Sequence, residues 1–521
     1  MLMWFQFYKQ KMLITLVALA QVATFTIATG VSAATGLPQL GDGSDMSSSA
    51  ERRLGDRIAR ELYKDPDYLD DPVLDDYVQG IWQPLLSAAR ERGDLTSELD
   101  ERFAWKILMM RNRSVNAFAL PGGYFGLHLG LLSVVGSRDE LASVLVHELS
   151  HVTQRHISRL ISQNNQQTPW VIVAMILGAL VASKSSGDAG NTLMVGGQAL
   201  SAQSQLNFSR DMEREADRVG LGVIKQSGFD AFGFVTMFDK LQQSTILNDS
   251  GDYTYLRTHP LTTERIADLK ARLPMQTAVT KANSPSVLHA MMTARAKVLA
   301  NSGPDALRAW LSNADDTQPV AKQAGTLYGA VMAASLLREH TLAKRHLQRL
   351  QFLVSSADRA AVRLVNGLSV EIALAAHDLP SQQVQALGQL VGLGSQLSPV
   401  TRAELMLQAQ IALDLNQPVV LSQVTQRLYT QVASHSNDAL AWQWLSRLHT
   451  AQGQNLQALR SEAESRVAQL DFESALDRLN AAQTLVRASD HTHSTADHID
   501  ASIIDLRRRQ IELIIKDQHT K

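Results

Sequence analysis

The stretch SRDELASVLVHELSHVTQRHISRL, residues 137–160, decides how this chain is read. Ser137 followed by Glu140 is a capping-box pattern, which starts a helix sharply. Leu141, Leu145, Leu149 and Val152 then keep helical spacing and predict one helix to about Leu160. Within it, His147 and His151 are four apart, so they share a face with Cβ atoms roughly 5–6 Å apart. Two imidazoles so placed can hold one zinc ion. Glu148 is one position on, about 100° round the helix, and flanks such a metal instead of binding it. From there it can take a proton from the attacking water and pass it to the leaving amine. The plain alternative, a helix with two surface histidines, fits poorly with a capped and apolar segment.

Two histidines need a third ligand. The chain has no cysteine, so that ligand is a His, Asp or Glu. A helix expected over about Asp211 to Ser227 offers Glu213, Glu215 and Asp217. Glu213 and Asp217 share a face and Glu215 points elsewhere, as a solvated acid would. Periodicity favours the Glu213/Asp217 face without naming the ligand.

Upstream, Ser48 and Glu51 form another capping-box pattern, followed by a helix with Leu54, Ile58 and Leu62 on one face. Asp65-Pro66 and Asp71-Pro72 break the chain, and a second helix is expected from about Val73 to Arg92, interrupted or kinked near Pro84. Phe103–Met110, Val115–Leu120 and Tyr124–Leu129 read as short strands, the last two separated by a turn at Pro121-Gly122-Gly123. Thr258-His259-Pro260 opens a further helix, about Leu261 to Leu273, and residues 274–286 have linker composition. From 287 onward the chain is rich in Ala, Leu and Gln, with few strand signals. Tyr328-Gly329, Ala343, Trp442, Leu445 and Ala458 fall loosely on a tetratricopeptide pattern, and residues 470–476 read as the turn into a second repeat helix.

The N-terminus carries Lys9 and Lys11, an apolar run from Met12 to about Ile27, and small residues at 30–34. This is the pattern of a secretory signal peptide cut after Ala33, with an uncleaved membrane anchor as the alternative. With no cysteine after the run, a lipoprotein anchor is excluded. Residues 34–47 read as a flexible leader. Residues 170–182, from Trp170 to Ala182, are almost wholly apolar but too short to span a bilayer. They read either as a buried helix in a lid or as a loop making peripheral contact with a membrane or a partner. The 521 residues suit two to four domains, and 45% hydrophobic residues are enough for a sizeable core. With 49 basic against 51 acidic residues, nothing recommends a nucleic-acid partner.

HELSH followed by Glu213-Arg214-Glu215-Ala216-Asp217 resembles the gluzincin peptidases of the HtpX and CAAX-prenyl-protease type. The order of a signal peptide, Asn116-Ala117-Phe118-Ala119-Leu120-Pro121-Gly122-Gly123, HELSH, EREAD, Thr258-His259-Pro260 and a helical tail resembles members that serve the Gram-negative envelope. The resemblance implies a mainly α protein with a small β-sheet. A zincin-type metallopeptidase domain over 48–280 is followed by an α-helical tetratricopeptide-like repeat domain over 287–521. It implies one Zn2+ per chain held by His147, His151 and Glu213, with Glu148 as general base and Asp217 orienting a ligand histidine. It also implies that His259 takes the fourth zinc position at rest and restrains activity. The implied partners are unfolded or stalled outer-membrane β-barrel proteins and, through the repeats, the barrel-assembly machinery, in the periplasm. An edge strand within 103–129 would hold an extended peptide by β-augmentation. The rival from another class is a repeat-based chaperone or scaffold whose metal site is structural or idle.

Overall fold

In the structure, a computed structural model, residues 46–163, 209–247, 253–273, 286–312, 318–376, 379–393, 400–488 and 495–520 are described. The signal peptide, most of the leader, the apolar stretch 170–182 and nearly all of the linker 274–286 lie outside them. No described helix is long and apolar enough to cross a membrane.

The chain begins with α1 (Ser48–Lys64), a two-residue strand β1 (Tyr68–Leu69), α2 (Pro72–Arg92) and the short α3 (Ser97–Arg102). Then come β2 (Lys106–Met110), β3 (Ala117–Leu120), β4 (Tyr124–His128), α4 (Leu129–Val134), α5 (Arg138–Thr153) and α6 (His156–Gln163). After the next described residues begin, α7 (Arg210–Gln226), α8 (Gly233–Leu247), the single turn α9 (Tyr255–Thr258) and α10 (Thr263–Arg272) follow. The elements among the remaining described residues are all helices, from α11 (Val287–Ala300) to Thr495–Thr520. The fold is therefore mainly α with one small sheet, as the sequence led us to expect.

The sheet has four strands in the order β1-β2-β4-β3, one more than expected. β2 and β4 are parallel, and β1 and β3 join antiparallel at the two edges. Ile107 and Met109 of β2 enter the large core while Leu108 and Met110 pack with Leu54, Ile58 and Leu62 of α1. A strand covered on both faces needs a continuous apolar run, which Lys-Ile-Leu-Met-Met supplies. β2 starts three residues later than its composition suggests, because Trp105 adopts φ 48° and breaks the extended backbone. Gly122, at φ 72°, turns the chain between β3 and β4, where a Cβ would lie 2.7 Å from Arg52 Cα.

Several helix ends differ from expectation. The cap of α1 is Ser47, not Ser48; the Ser48 hydroxyl donates to Glu98 and Glu51 pairs with Arg155. α2 is assigned as one helix through Pro84, begun by the Asp71 side chain accepting from Leu74 N–H. Ser137 does cap α5, but Glu140 reaches the Gly136 N–H and Lys240 instead of closing the box. The motif helix does not run to Leu160: it stops at Thr153, Arg155 takes φ 54°, and α6 starts afresh at His156. α8 is a helix that the sequence reading did not anticipate.

The described residues, from Met46 onward, form one compact unit. A single core runs from Leu74 in α2 to Ile372 in α15 (Arg359–Ala375), so the helices between 287 and 375 share apolar packing with the sheet region. Two buried ion clusters reinforce that junction. Arg295 of α11 donates to both Asp71 oxygens, at 2.8–2.9 Å, and also reaches Glu371 and the Tyr328 hydroxyl. Arg402, the first residue of α17 (Arg402–Leu415), binds Asp70 at 2.8 Å and Asp438 at 2.8 Å. Replacing one member of a buried pair leaves the other charge uncompensated. Arg295→Met should therefore destabilise the protein by about 3–5 kcal/mol in chemical denaturation. A loss under about 1 kcal/mol would show that Asp71 and Glu371 are neutralised by other means.

Candidate metal centre

Two helices and one short turn supply the centre. α5 is buried along nearly its whole length and packs against α7, α8, α2 and the edge strand β3. His147, Glu148 and His151 are 1% exposed or less, so they point into the protein and not to solvent. α7 is started by Ser209, whose hydroxyl accepts the Met212 N–H. Its inward face carries Met212, Glu213, Ala216, Asp217 and Gly220, which is the 3.6-residue period of a helix with two acids in its buried stripe. His259 ends α9, and the Tyr255 N–H that begins this turn donates to the Val115 carbonyl just before β3.

The structure brings His147, His151, Glu213 and His259 together, with one donor atom from each within 4.8 Å of all the others. His147 Nε2 lies 3.1 Å from His151 Nε2, and Glu213 lies 3.4 Å from each of them. His259 Nδ1 is 3.0 Å from Glu213 Oε1. A tetrahedral zinc with bonds of about 2.0–2.1 Å would set its ligand atoms about 3.3–3.4 Å apart, so the spacing fits a single ion. The donor set of imidazole nitrogens and a carboxylate, without thiolate, also fits.

The surroundings point the same way. Asp217 does not face the centre directly; its Oδ1 lies 3.0 Å from His147 Nδ1, which turns Nε2 inward. Burial disfavours a charged His147, but Asp217 and Glu213 outweigh it and raise the imidazole to about 9. Burial likewise opposes ionisation of Glu213, yet the His259 charge and hydrogen bonds with the three histidines hold its carboxyl well below the usual range. The carboxylates thus draw positive charge into a closed pocket. Burial holds His151 well below its usual value, which leaves it neutral and able to bind metal.

Glu148 flanks the four. Burial raises its carboxyl, with His259 and His147 pulling it back down, which suits a group that must accept and release a proton. Its Oε1 is 3.4 Å from His259 Nε2. The His259 ring stacks on Tyr255 with centroids 4.6 Å apart and planes 28° apart.

Two features escaped the sequence reading. Arg265 of α10, 3% exposed, makes a two-pronged bond to Asp217 at 2.7 and 2.8 Å and reaches Glu213 Oε2 at 2.7 Å. Its only signal was an arginine beside Ile266 and Leu269 on the buried stripe of an amphipathic helix. Glu215 does point away from the centre, but it is not simply solvated: it pairs with His156 at 3.1 Å and Arg159 at 2.8 Å. Burial and the nearby Arg159 lower His156 to about 4.

Residues 88–273 match the family model described as Peptidase family M48. The beta-barrel assembly-enhancing protease of Escherichia coli K12 is 27% identical over 509 residues, covering 97% of this chain and 98% of that protein. A Vibrio cholerae protein described in similar terms is 34% identical over 245 residues, 45% of this chain and 47% of its own length. The mitochondrial metalloendopeptidase OMA1 of Arabidopsis thaliana is 34% identical over 191 residues, 37% of this chain and 35% of its own.

An ion that binds only the folded chain stabilises it by about 2.7–4.1 kcal/mol at 100–1,000 times its Kd. Chelation should accordingly lower the melting temperature, and a divalent metal should restore it. An unchanged Tm after verified metal removal would contradict the centre.

Proposed function

We propose that this chain, whose residues 88–273 match the peptidase family M48 model, is a zinc-dependent endopeptidase of the cell envelope. The observation that carries this reading is the convergence of His147, His151, Glu213 and His259 beside Glu148 in one buried pocket. When bound, zinc would polarise the scissile carbonyl and make water a better nucleophile. Glu148 takes the proton from that water and delivers it to the leaving nitrogen. Asp217 and Arg265 hold His147 and Glu213 in place. β3, a sheet edge beside α5, receives the substrate as an added antiparallel strand.

His259 restrains the enzyme. Its ring lies at the fourth corner of the ligand set and against Glu148, so at rest it engages both the open position that catalysis needs and the general base. Activity requires the ring to withdraw, which the short α9 turn can permit without moving α5 or α7.

The substrates are misfolded or stalled outer-membrane β-barrel proteins, whose assembly the protein also assists. This rests on a relative bearing the name beta-barrel assembly-enhancing protease that aligns over nearly the whole chain. The peptidase domain spans 48–280, and the helices over 287–521 act as tetratricopeptide-like repeats that hold the client or the barrel-assembly machinery. Consecutive helices in this part pack on their neighbours, and Leu445, Ala343 and Ala458 are buried at those contacts. The site of action is the periplasm, reached after signal cleavage near Ala33.

The purified protein should hold close to one zinc per chain, and a metal-free preparation with full activity would sink the mechanism. Glu148→Gln leaves the ligands intact, so cleavage should vanish while zinc remains. If barrel assembly also survives in that variant, the repeats act as a scaffold in their own right; if it is lost too, proteolysis is the essential activity. His259→Ala should raise basal proteolysis, including self-cleavage. Unchanged or reduced activity would recast His259 as a catalytic helper.

A further inference from the structure

The break between α5 and α6 has a specific product. Arg155 stands at φ 54°, in the left-handed region that disfavours residues with a Cβ. Its guanidinium is tied to Glu51 Oε2 at 3.0 Å, to Ser158 Oγ at 3.1 Å and to the Met46 carbonyl. The reversed backbone returns His156 over the outer side of His151. His156 is fully buried, with Nδ1 2.8 Å from His151 Nδ1 and Nε2 3.1 Å from Glu215 Oε2. Arg159 Nη2 donates to the same Glu215 oxygen at 2.8 Å.

The positions of the protons follow from this geometry. His151 Nε2 faces His147 and Glu213, so as a metal ligand it must present a lone pair there. The ring proton of His151 is then on Nδ1, pointing at His156. A donor at 2.8 Å needs an acceptor, so His156 Nδ1 carries the lone pair and His156 Nε2 carries the hydrogen. That hydrogen is donated to Glu215. Each bond in the chain from His151 through His156 to Glu215 therefore has one direction. His147 is served by a carboxylate directly, through Asp217, whereas His151 is served by a neutral imidazole with a carboxylate behind it.

We infer that His156 and Glu215 are positioning residues of the metal centre: His156 accepts a hydrogen bond from His151 Nδ1 and donates one to Glu215, which fixes the tautomer and tilt of His151. The inference rests on the reading that His147, His151 and Glu213 hold the metal. It gives all three acids of the EREAD segment a part in one site: Glu213 toward the ion, Asp217 behind His147, and Glu215 behind His151 through His156. It also gives the strained Arg155 a purpose, since a residue there with ordinary helical φ would carry α5 straight on and take His156 away from His151.

The test is zinc titration of the full-length apo-protein against a competing chromophoric chelator, alongside the melting temperature of each apo-form. His156→Phe keeps a ring but has no acceptor, and should bind zinc about 10–100-fold more weakly. His156→Asn puts a carbonyl oxygen where Nδ1 was and should recover most of that loss. Glu215→Ala, at a residue that is partly exposed, should weaken zinc binding several-fold while leaving the apo melting temperature unchanged. Wild-type affinity in both His156→Phe and Glu215→Ala would overturn the inference. So would an affinity loss in His156→Phe that His156→Asn shares in full, since a purely structural role predicts no such rescue. Should His156→Phe fail to fold, Glu215→Ala and His156→Asn decide the matter by the same criteria. If the wild-type protein itself takes up no zinc, the functional reading fails first, and that result is distinct from equal binding by wild type and variants.

Discussion

Two carboxylates on one buried helical stripe, Glu213 and Asp217, are the constraint around which this protein is organised. An uncompensated buried charge is costly, so everything nearby must answer it. Arg265 answers with a fork across both acids. His147 answers with Nδ1, which turns its other nitrogen inward. The space between Glu213 and the inward histidine nitrogens then has the size and the polarity for a cation. Metal binding is in this sense the remaining part of an electrostatic arrangement that the protein side chains leave incomplete.

Much of this was legible in the sequence, because helices impose a period. His147, Glu148 and His151 could be placed on α5 from spacing alone, and Glu213 with Asp217 could be placed on one face of α7. Choosing Glu213 as the ligand needed a resemblance, since periodicity treats the two acids alike. Three of the four strands were found, but not their order. Parallel pairing of β2 with β4 depends on contacts across the chain that composition does not encode, and β1 is only two residues long. Arg265 stayed hidden for the same reason: it lies 48 positions from Asp217, and an arginine near apolar residues usually lies along the surface.

The misjudged end of the motif helix is more instructive. Nothing in Gln154-Arg155-His156 resembles a helix breaker; there is no glycine or proline. The left-handed turn at Arg155 is sustained by partners from α1, a segment more than one hundred residues earlier. Local propensity favoured continuation, and tertiary bonds overrode it. That conflict between local preference and final conformation falls at the metal centre, where strain tends to concentrate.

The grip of Arg295 on Asp71 and of Arg402 on Asp70 bears on the timing of folding. These bonds join residues 224 and 332 positions apart, and the acids come first in the chain. As the polypeptide emerges N-terminus first, Asp70 and Asp71, which follow the edge strand β1, wait for arginines that have not yet been made. At about 5–20 residues per second that interval lasts on the order of tens of seconds. Over that period the peptidase half lacks the counter-charges at its own sheet edge. Final packing at that edge therefore waits until most of the chain is in place.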